Sequence, residues 1–393
     1  MKLLLISSHF PNIFGGVSDY SYLLSKTLSK EGLEVYVLTS YDDRVINDTE
    51  DNLRVLTVVK RWSLMGIPKI IKEVKRINPD WVLLQYVPYM YSYYGVPAYI
   101  VLLSFVLRIM RFKFITTFHE IGMELDLKKP KYWGIAVLQR LIAYAMCIAS
   151  DKVVISSEPY RKTIEIFDKK VTKIPIGSNI LPVYISDRDK RELRRQISSD
   201  QEIIISTFGA NPRRNYLLLR VIKKLREEKL PVKFLVIGGF PKDWIEAIKI
   251  EVKELELDDA ICFTGFLKSE DVYRYLSISD LFVILEGINS KGRGGISIKN
   301  TSLTAAFAAG LPIIGNRGHM TSDFLNNREN IILIDSLDEE TICEEIKKLL
   351  ADPTLIENLK IGAVRTFETK LSWPIIAKRY IELFSCEEQM EYK

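Results

Sequence analysis

The residues best suited to chemistry in this chain are grouped in the way that binding of an anion requires. Arg213 and Arg214 follow the glycine of Phe208-Gly209-Ala210-Asn211-Pro212, and Lys291, Arg293 and Lys299 crowd a glycine- and serine-rich run from Glu286 to Ser302. Ammonium and guanidinium groups beside a glycine loop that opens onto a helix suit a phosphate, because backbone N–H groups and the helix dipole there favour negative charge. Two further places carry groups that hold or move protons. His119-Glu120 follows the apolar run Phe114 to Phe118, and Asp19 lies just beyond Gly15-Gly16. An imidazole and carboxylates at strand ends are candidates for hydrogen bonding or deprotonating a hydroxyl. Each group also has a plainer reading: solvated surface cations, a structural histidine, a carboxylate in a helix's first turn. Neither a paired-aspartate motif nor a His/Cys cluster is present, so charge neutralisation is expected from the protein itself, without a metal or other cofactor.

The elements that must position these groups alternate. A first strand over 2–7 runs into the loop from His9 to Tyr20 and a helix whose Tyr22, Leu23, Leu24 and Leu28 share a face. Further strands are predicted at 35–38, 53–58, 80–85, 112–117 and 152–156, with helices between them. That pattern predicts a parallel, doubly wound sheet, which binds ligands at the carboxyl ends of its strands. Gln85, His119-Glu120 and Ser157-Glu158 lie at such ends. The pattern breaks around 174–200, where turn residues precede the charged run Asp187 to Arg195, read as the join between domains followed by a solvated helix. It then restarts: strand 203–208, loop 209–215, helix 216–228, strand 232–237, helix 242–255, strand 260–263, helix 269–277 and strand 281–285. Ser302 to Ala309 reads as a short alanine-rich helix that Gly310 stops and Leu311-Pro312 turns into another strand. Two domains of one architecture, at 1–180 and 196–366, are therefore expected. The amphipathic segment within 367–393 is expected to be a helix that packs on one domain or the other.

Size and composition agree with two domains. A chain of 393 residues exceeds what one core usually supports, and 47% apolar with 27% charged residues is a globular balance. A net charge of +5 suits anionic small molecules or an anionic membrane surface and is too weak to imply nucleic acid. Cys147, Cys262, Cys343 and Cys386 are too scattered for a disulfide framework, which suggests a reducing cytoplasm. The apolar start Leu3-Leu4-Leu5-Ile6 is too short for a signal peptide, and Val96 to Leu107 falls short of the roughly 20 apolar residues of a membrane span. Beside that segment lie the aromatic run Tyr86 to Tyr94 and the cations Arg108, Arg111 and Lys113. The stretch reads as a core helix with an aromatic platform for sugars, or as a surface touching a membrane or a lipid-linked molecule.

Taken in order, the motifs resemble retaining glycosyltransferases of family 4, which have the GT-B fold. The resemblance runs through Gly15-Gly16-Val-Ser-Asp19-Tyr20, Thr117-Phe118-His119-Glu120 and Ile174-Pro-Ile-Gly177. It continues with Phe208-Gly209, Pro212-Arg213-Arg214, Phe263-Thr-Gly265-Phe, Ser279-Asp280, Ala308-Ala-Gly310-Leu-Pro312 and Ser372-Trp373. It implies two Rossmann-like doubly wound domains facing across a cleft, an N-terminal one for the acceptor and a C-terminal one for the nucleotide-sugar donor. It also implies sugar transfer to a glycan or lipid-linked acceptor and a cytoplasmic site of action, peripheral contact with the inner face of a membrane being the second reading of the Tyr86–Leu107 stretch. His119, Asp19 and Glu120 become the catalytic candidates. Gly15, Gly16, Arg213, Arg214, Gly265, Ser297, Ile298, Lys299 and Ser302 become the donor-binding ones, with Arg214 at the family's phosphate-binding lysine. The family's two glutamates, eight positions apart, fall on Ser297 and Ala305, so the chain resembles a subgroup without that pair. A non-catalytic nucleotide-binding or scaffold protein of the same fold is the alternative that this substitution leaves open.

Overall fold

A computed structural model describes residues 1–11, 15–41, 52–123, 130–209, 212–289 and 293–385, the side chains of residues 130, 212 and 213 excepted. Two compact units emerge: Met1–Gly177 with the segment from Trp373 onward, and Ser178–Ser372. The first contains β1 (Lys2–Ile6), α1 (Gly16–Lys30), β2 (Glu34–Ser40), β3 (Leu53–Val59), α2 (Ile67–Ile77), β4 (Trp81–Tyr86), α3 (Pro88–Tyr91), α4 (Ala98–Ile109), β5 (Lys113–Phe118), α5 (Trp133–Ala149), β6 (Lys152–Ile155), α6 (Glu158–Thr163) and β7 (Val171–Lys173). The second contains α7 (Asp187–Ile197), β8 (Ile203–Phe208), α8 (Pro212–Glu227), β9 (Val232–Ile237), α9 (Lys242–Glu254), β10 (Ile261–Phe263), α10 (Ser269–Ser277), β11 (Leu281–Ile284), α11 (Thr301–Ala308), β12 (Ile313–Asn316), β13 (Ile332–Ile334), α12 (Glu339–Leu350) and α13 (Pro353–Thr366). The final helix, α14 (Trp373–Ser385), belongs to the first unit.

Both sheets are parallel. The first has the order β3-β2-β1-β4-β5-β6-β7 and the second β10-β9-β8-β11-β12-β13. Strands with no polar alternation, such as Leu3-Leu4-Leu5-Ile6 and Leu281-Phe-Val-Ile284, are buried on both faces. Helices must therefore cover each side. In the first unit α2, α4 and α5 cover one face, through Ile70, Val74, Leu103, Leu107 and Met146. On the other face α1 and α14 pack together, and Trp373, Ile376, Tyr380 and Phe384 join Leu3, Leu5 and Trp81 in one core. Fully burying an aliphatic side chain contributes about 1.5–3 kcal/mol, so α14 is an integral layer of that unit.

Several boundaries differ from the sequence reading. The charged segment 187–195 forms the helix read from the sequence, α7, which has no buried residue but belongs to the second unit, where Arg194 grips Asp280 at 2.7 Å and the Ile278 carbonyl at 2.8 Å. The second unit begins at Ser178 and runs to Ser372, wider than 196–366 at both ends. The loop expected over 209–215 is shorter, because Pro212 opens α8 four residues early; a proline has no N–H to leave unsatisfied at a helix start. Strands β7 and β13, three residues each, were not anticipated.

Candidate functional site

In each sheet the strand order reverses once, between β1 and β4 and between β8 and β11. Loops leaving the carboxyl ends of such a strand pair diverge to opposite faces and leave a crevice, which is where open α/β sheets bind ligands.

At the crevice of the second unit Arg214, in the first turn of α8, is only 4% exposed. Its Nη2 donates to the carbonyl oxygens of Phe208, at 3.1 Å, and Gly209, at 2.5 Å, which fixes the guanidinium against the end of β8. Burial holds its pKa down to about 10, and the nearby carboxylate of Glu286 opposes that shift. Glu286 follows β11 on the other side of the reversal. Burial raises its carboxyl above the ordinary value, against the pull of Arg214 and of Asn300. Asn300 Nδ2 donates to Glu286 Oε1 at 2.5 Å, and Asn300 Oδ1 accepts from the Ser302 N–H at 2.9 Å, capping α11. The first turn of α11 is thus not a set of bare donors: its own N-cap is spent on Ser302, and the same side chain ties the helix to a carboxylate. A β-carbon added to Gly209 would lie 3.1 Å from Ser302 Oγ, so the end of β8 and the mouth of α11 touch.

The 293–300 loop is held to the end of β12. Gly294 N donates to His319 Nδ1 at 2.8 Å, and Ile296 N to the Asn316 carbonyl at 3.0 Å. A β-carbon on Gly294 would sit 1.9 Å from the Gly287 carbonyl, so this crossing requires glycine. Ser297 and Ile298 are buried and Lys299 is half-buried; Ser297 Oγ accepts from Lys299 N at 3.3 Å. Ala305, in one of the two positions a family glutamate would take, is fully buried. Gly265, with φ +70°, follows β10 and bridges Gly238 after β9. Arg213's side chain and Lys291 lie outside the described residues.

The crevice of the first unit holds His119, only 5% exposed. Its Nε2–H donates to Gln85 Oε1 at 2.7 Å, which leaves Nδ1 as the acceptor of the neutral ring. Tyr20 meets the imidazole edge-on at 4.7 Å between centroids and Trp373 at 5.2 Å. Its hydroxyl lies 3.0 Å from that of Tyr380, which lies 3.0 Å from Thr117 Oγ1. Helix α14 therefore braces the ring that braces His119. Asp19 is exposed in the first turn of α1, yet displaced water raises its carboxyl above the ordinary value. A β-carbon on Gly15 or Gly16 would meet nothing within 4 Å, so internal packing does not demand glycine there. Glu120 is exposed.

Sequence reasoning missed His9. Ser8 Oγ donates to the Met90 carbonyl at 2.9 Å, so at 2.8 Å the proton between Ser8 and His9 belongs to His9 Nδ1 and Nε2 carries the lone pair. Burial lowers its pKa, which keeps it neutral. It also missed Asn300 and the pattern of buried polar atoms without a protein partner. Thr39 Oγ1, Gln85 Nε2, Ser156 Oγ and Ser157 Oγ in the first unit, and Thr207 Oγ1 in the second, lie at or just beyond carboxyl ends of strands, and Asn215 Nδ2 lies in the first turns of the helix that follows β8. Each such group costs about 1–3 kcal/mol, and their concentration at one end of each sheet marks those ends as polar binding surfaces. Among the described residues no three His, Cys, Asp or Glu side chains are grouped to hold a metal ion.

Known proteins agree with this geometry. The profile for Glycosyltransferase Family 4 matches residues 14–179 and that for Glycosyl transferases group 1 matches residues 188–365. The fold is the GT-B fold. The chain is 25% identical over 233 residues to a 2-deoxystreptamine N-acetyl-D-glucosaminyltransferase of Niallia circulans, covering 59% of this chain and 57% of that one. It is 28% identical over 167 residues to the lipopolysaccharide core biosynthesis glycosyltransferase LpsD of Rhizobium meliloti, covering 42% and 44%. The chain thus spans about half the length of these curated relatives. Among solved structures it superposes on Anabaena HepE in complex with UDP with a TM-score of 0.70 at 13% identity, over 98% of this chain and 99% of the other. The two profiles fall one on each unit.

Proposed function

We propose that the enzyme is a retaining, metal-independent hexosyltransferase that moves a sugar from a nucleotide-diphosphate donor to a glycan or lipid-linked acceptor in polysaccharide or glycolipid assembly. It works in the cytoplasm, at the inner face of a membrane. The observation that carries this reading is Arg214, a cation buried at the strand reversal of the second unit and held rigid by two carbonyls. Cleaving a sugar–diphosphate bond builds negative charge on the leaving group, and a preorganised cation in a dry site stabilises that charge without reorganising. Lys299 and the mouth of α11 add to it, and this chain's own charges then do what a divalent ion would. Gly265 and Gly209 keep the neighbouring strand ends low, which lets a nucleotide lie across them. The complex of HepE with UDP lends the donor class support.

Glu286 has the position to accept from donor hydroxyls, with Asn300 fixing its orientation. In the first unit His119 and Asp19 serve the transferred sugar and the acceptor hydroxyl, and Gly15 and Gly16 let backbone N–H groups approach the donor. Asp19's raised pKa makes it a better base than an ordinary aspartate.

The test is a panel of UDP-, GDP- and ADP-sugars, read by release of nucleoside diphosphate and by thermal shift. Release from one donor, unaffected by EDTA and giving a product of unchanged anomeric configuration by NMR, is expected. An inverted product, or loss of release in EDTA, overturns the mechanism; no release from any donor overturns the donor class.

A further inference from the structure

Helices α4 and α5 lie side by side on one face of the first sheet: Arg108 Nη1, near the end of α4, donates to the Ile148 carbonyl near the end of α5 at 2.5 Å. Their inner faces fill the core, but their outer faces remain apolar. On α4, Leu102 and Ile109 are exposed, Ile109 to 79%. On α5, Trp133, Val137, Leu138, Leu141 and Ile148 are all exposed, Leu141 to 57%. At about 100° per residue, the α5 set falls within roughly 140° of arc and the α4 pair within roughly 20°, so each helix presents one coherent apolar stripe.

Along the two helices and the strand between them the charges have one sign, with Glu120 and Asp151 lying just beyond the ends. Residues 98–118 and 130–149 contain Arg108, Arg111, Lys113, Lys131 and Arg140 and no aspartate or glutamate, in a chain that carries 50 acidic residues against 55 basic ones. At the other end of the helices, Gln139 Nε2 donates to the Gly95 carbonyl at 3.0 Å. That bond ties α5 to a loop whose Tyr89, Tyr93 and Tyr94 are exposed, Tyr93 to 90%. Apolar stripes, interfacial aromatics and helices that carry only basic charge together describe a surface that lies in a headgroup layer.

We propose that the α4–α5 face docks the enzyme on an anionic lipid bilayer. Spanning is not available to it, since among the described residues no helix is long and apolar enough to cross a membrane. A second copy of the chain fits poorly, because a two-fold contact through this face would set its basic residues against themselves. An anionic lipid surface satisfies both the stripes and the cations. The inference rests on the proposed use of a lipid-linked acceptor, which it would bring to the enzyme by confining both to one plane.

The experiment uses the full chain and vesicles of phosphatidylcholine alone or mixed with phosphatidylglycerol in a ratio of two parts to one. Flotation should show binding to the mixed vesicles, weakened by salt, and little to phosphatidylcholine alone. The double variant Leu138→Ser/Leu141→Ser alters exposed positions only, and its fold is checked by thermal denaturation. It should float on the order of tenfold less while retaining its release of nucleoside diphosphate from the donor in solution. A charge variant, Arg111→Gln/Arg140→Gln, should lose the preference for phosphatidylglycerol. Equal flotation of the wild type and both variants overturns the proposal, as does no flotation of the wild type. So does a dimer in light scattering that Leu138→Ser/Leu141→Ser converts to monomer. Loss of donor turnover in the wild type, with flotation intact, would count against the proposed reaction and leave the docking face standing.

Discussion

Replacing Arg214 with alanine removes a buried charge that has three separable jobs. It donates to the carbonyls of Phe208 and Gly209, it opposes the buried carboxylate of Glu286, and in the proposed reaction it would meet the diphosphate. Hydrogen bonds to a charged group contribute about 1.5–3 kcal/mol each, although water entering the space left by the side chain recovers part of that. A net destabilisation of about 2–3 kcal/mol is expected, enough to lower the melting temperature by several degrees without unfolding the second unit. The catalytic loss is larger relative to what remains. One preorganised donor to a developing anion is worth about 2.7–4 kcal/mol, so turnover should fall on the order of a hundredfold or more. Arg214→Lys restores the charge but cannot grip two carbonyls in one plane, and should recover activity only in part. The assay is nucleoside diphosphate release at a temperature well below both melting transitions, so that every variant is folded when measured. Adding Glu286→Gln closes a cycle: if Arg214 and Glu286 work as a unit, the double variant should lose less than the sum of the two single effects. A drop of less than fivefold in folded Arg214→Ala would refute the role of this residue and the reasoning built on it.

Four further outcomes follow from the same geometry. Glu286 has a folded pKa above its unfolded one, so its contribution to stability is full below the unfolded value and is lost as pH rises through the folded value. Glu286→Gln should therefore be more stable than the parent at neutral pH, with the gap closing on acidification towards about pH 4 in urea titrations. Gly294→Ala drives a β-carbon into the Gly287 carbonyl at a φ of +134°; a loss of about 1–3 kcal/mol and impaired donor binding are expected, read by denaturation and thermal shift. Tyr380→Phe removes the hydroxyl between Tyr20 and Thr117. It should cost about 1–3 kcal/mol in melting experiments, and the activity of the folded fraction should fall as His119 loses its brace. Gln85→Leu takes away the acceptor for His119 Nε2–H and should move the pH–rate profile, a change that a purely structural glutamine would not produce.

Much of the architecture could be read from the sequence because parallel strands buried on both faces leave a plain signal. Uninterrupted apolar runs such as Leu281 to Leu285, set off by glycine loops and followed by helical periodicity, admit few alternatives. Strands of three residues, β7 and β13, leave too little pattern to detect. Arg214 was visible through its spacing from Gly209, but its burial was not, because an arginine in the first turn of a helix is ordinarily solvated. Asn300 carries no mark of its own in the sequence; its work as helix cap and as donor to Glu286 depends on a contact across 14 positions that periodicity does not encode. His9 lay in a quoted loop without a role, and only the placement of Ser8 and Met90 around its ring assigns its proton. The segment 96–107 was legible as a core helix on one side, where Ile100, Leu103 and Leu107 are buried. Its outward stripe needed the neighbouring helix to acquire meaning.

The last helix has a bearing on how the chain is made. Because Trp373, Ile376, Tyr380 and Phe384 complete the core of the first unit, that unit stays unfinished on the ribosome until all of Ser178–Ser372 has emerged. At about 5–20 residues per second this is a wait of roughly 10–40 s, during which the second unit can already fold. Nascent Leu24, Leu28 and Trp81 are meanwhile left without their cover, which makes the amino-terminal half the natural client of chaperones and makes any truncation before residue 373 prone to clump.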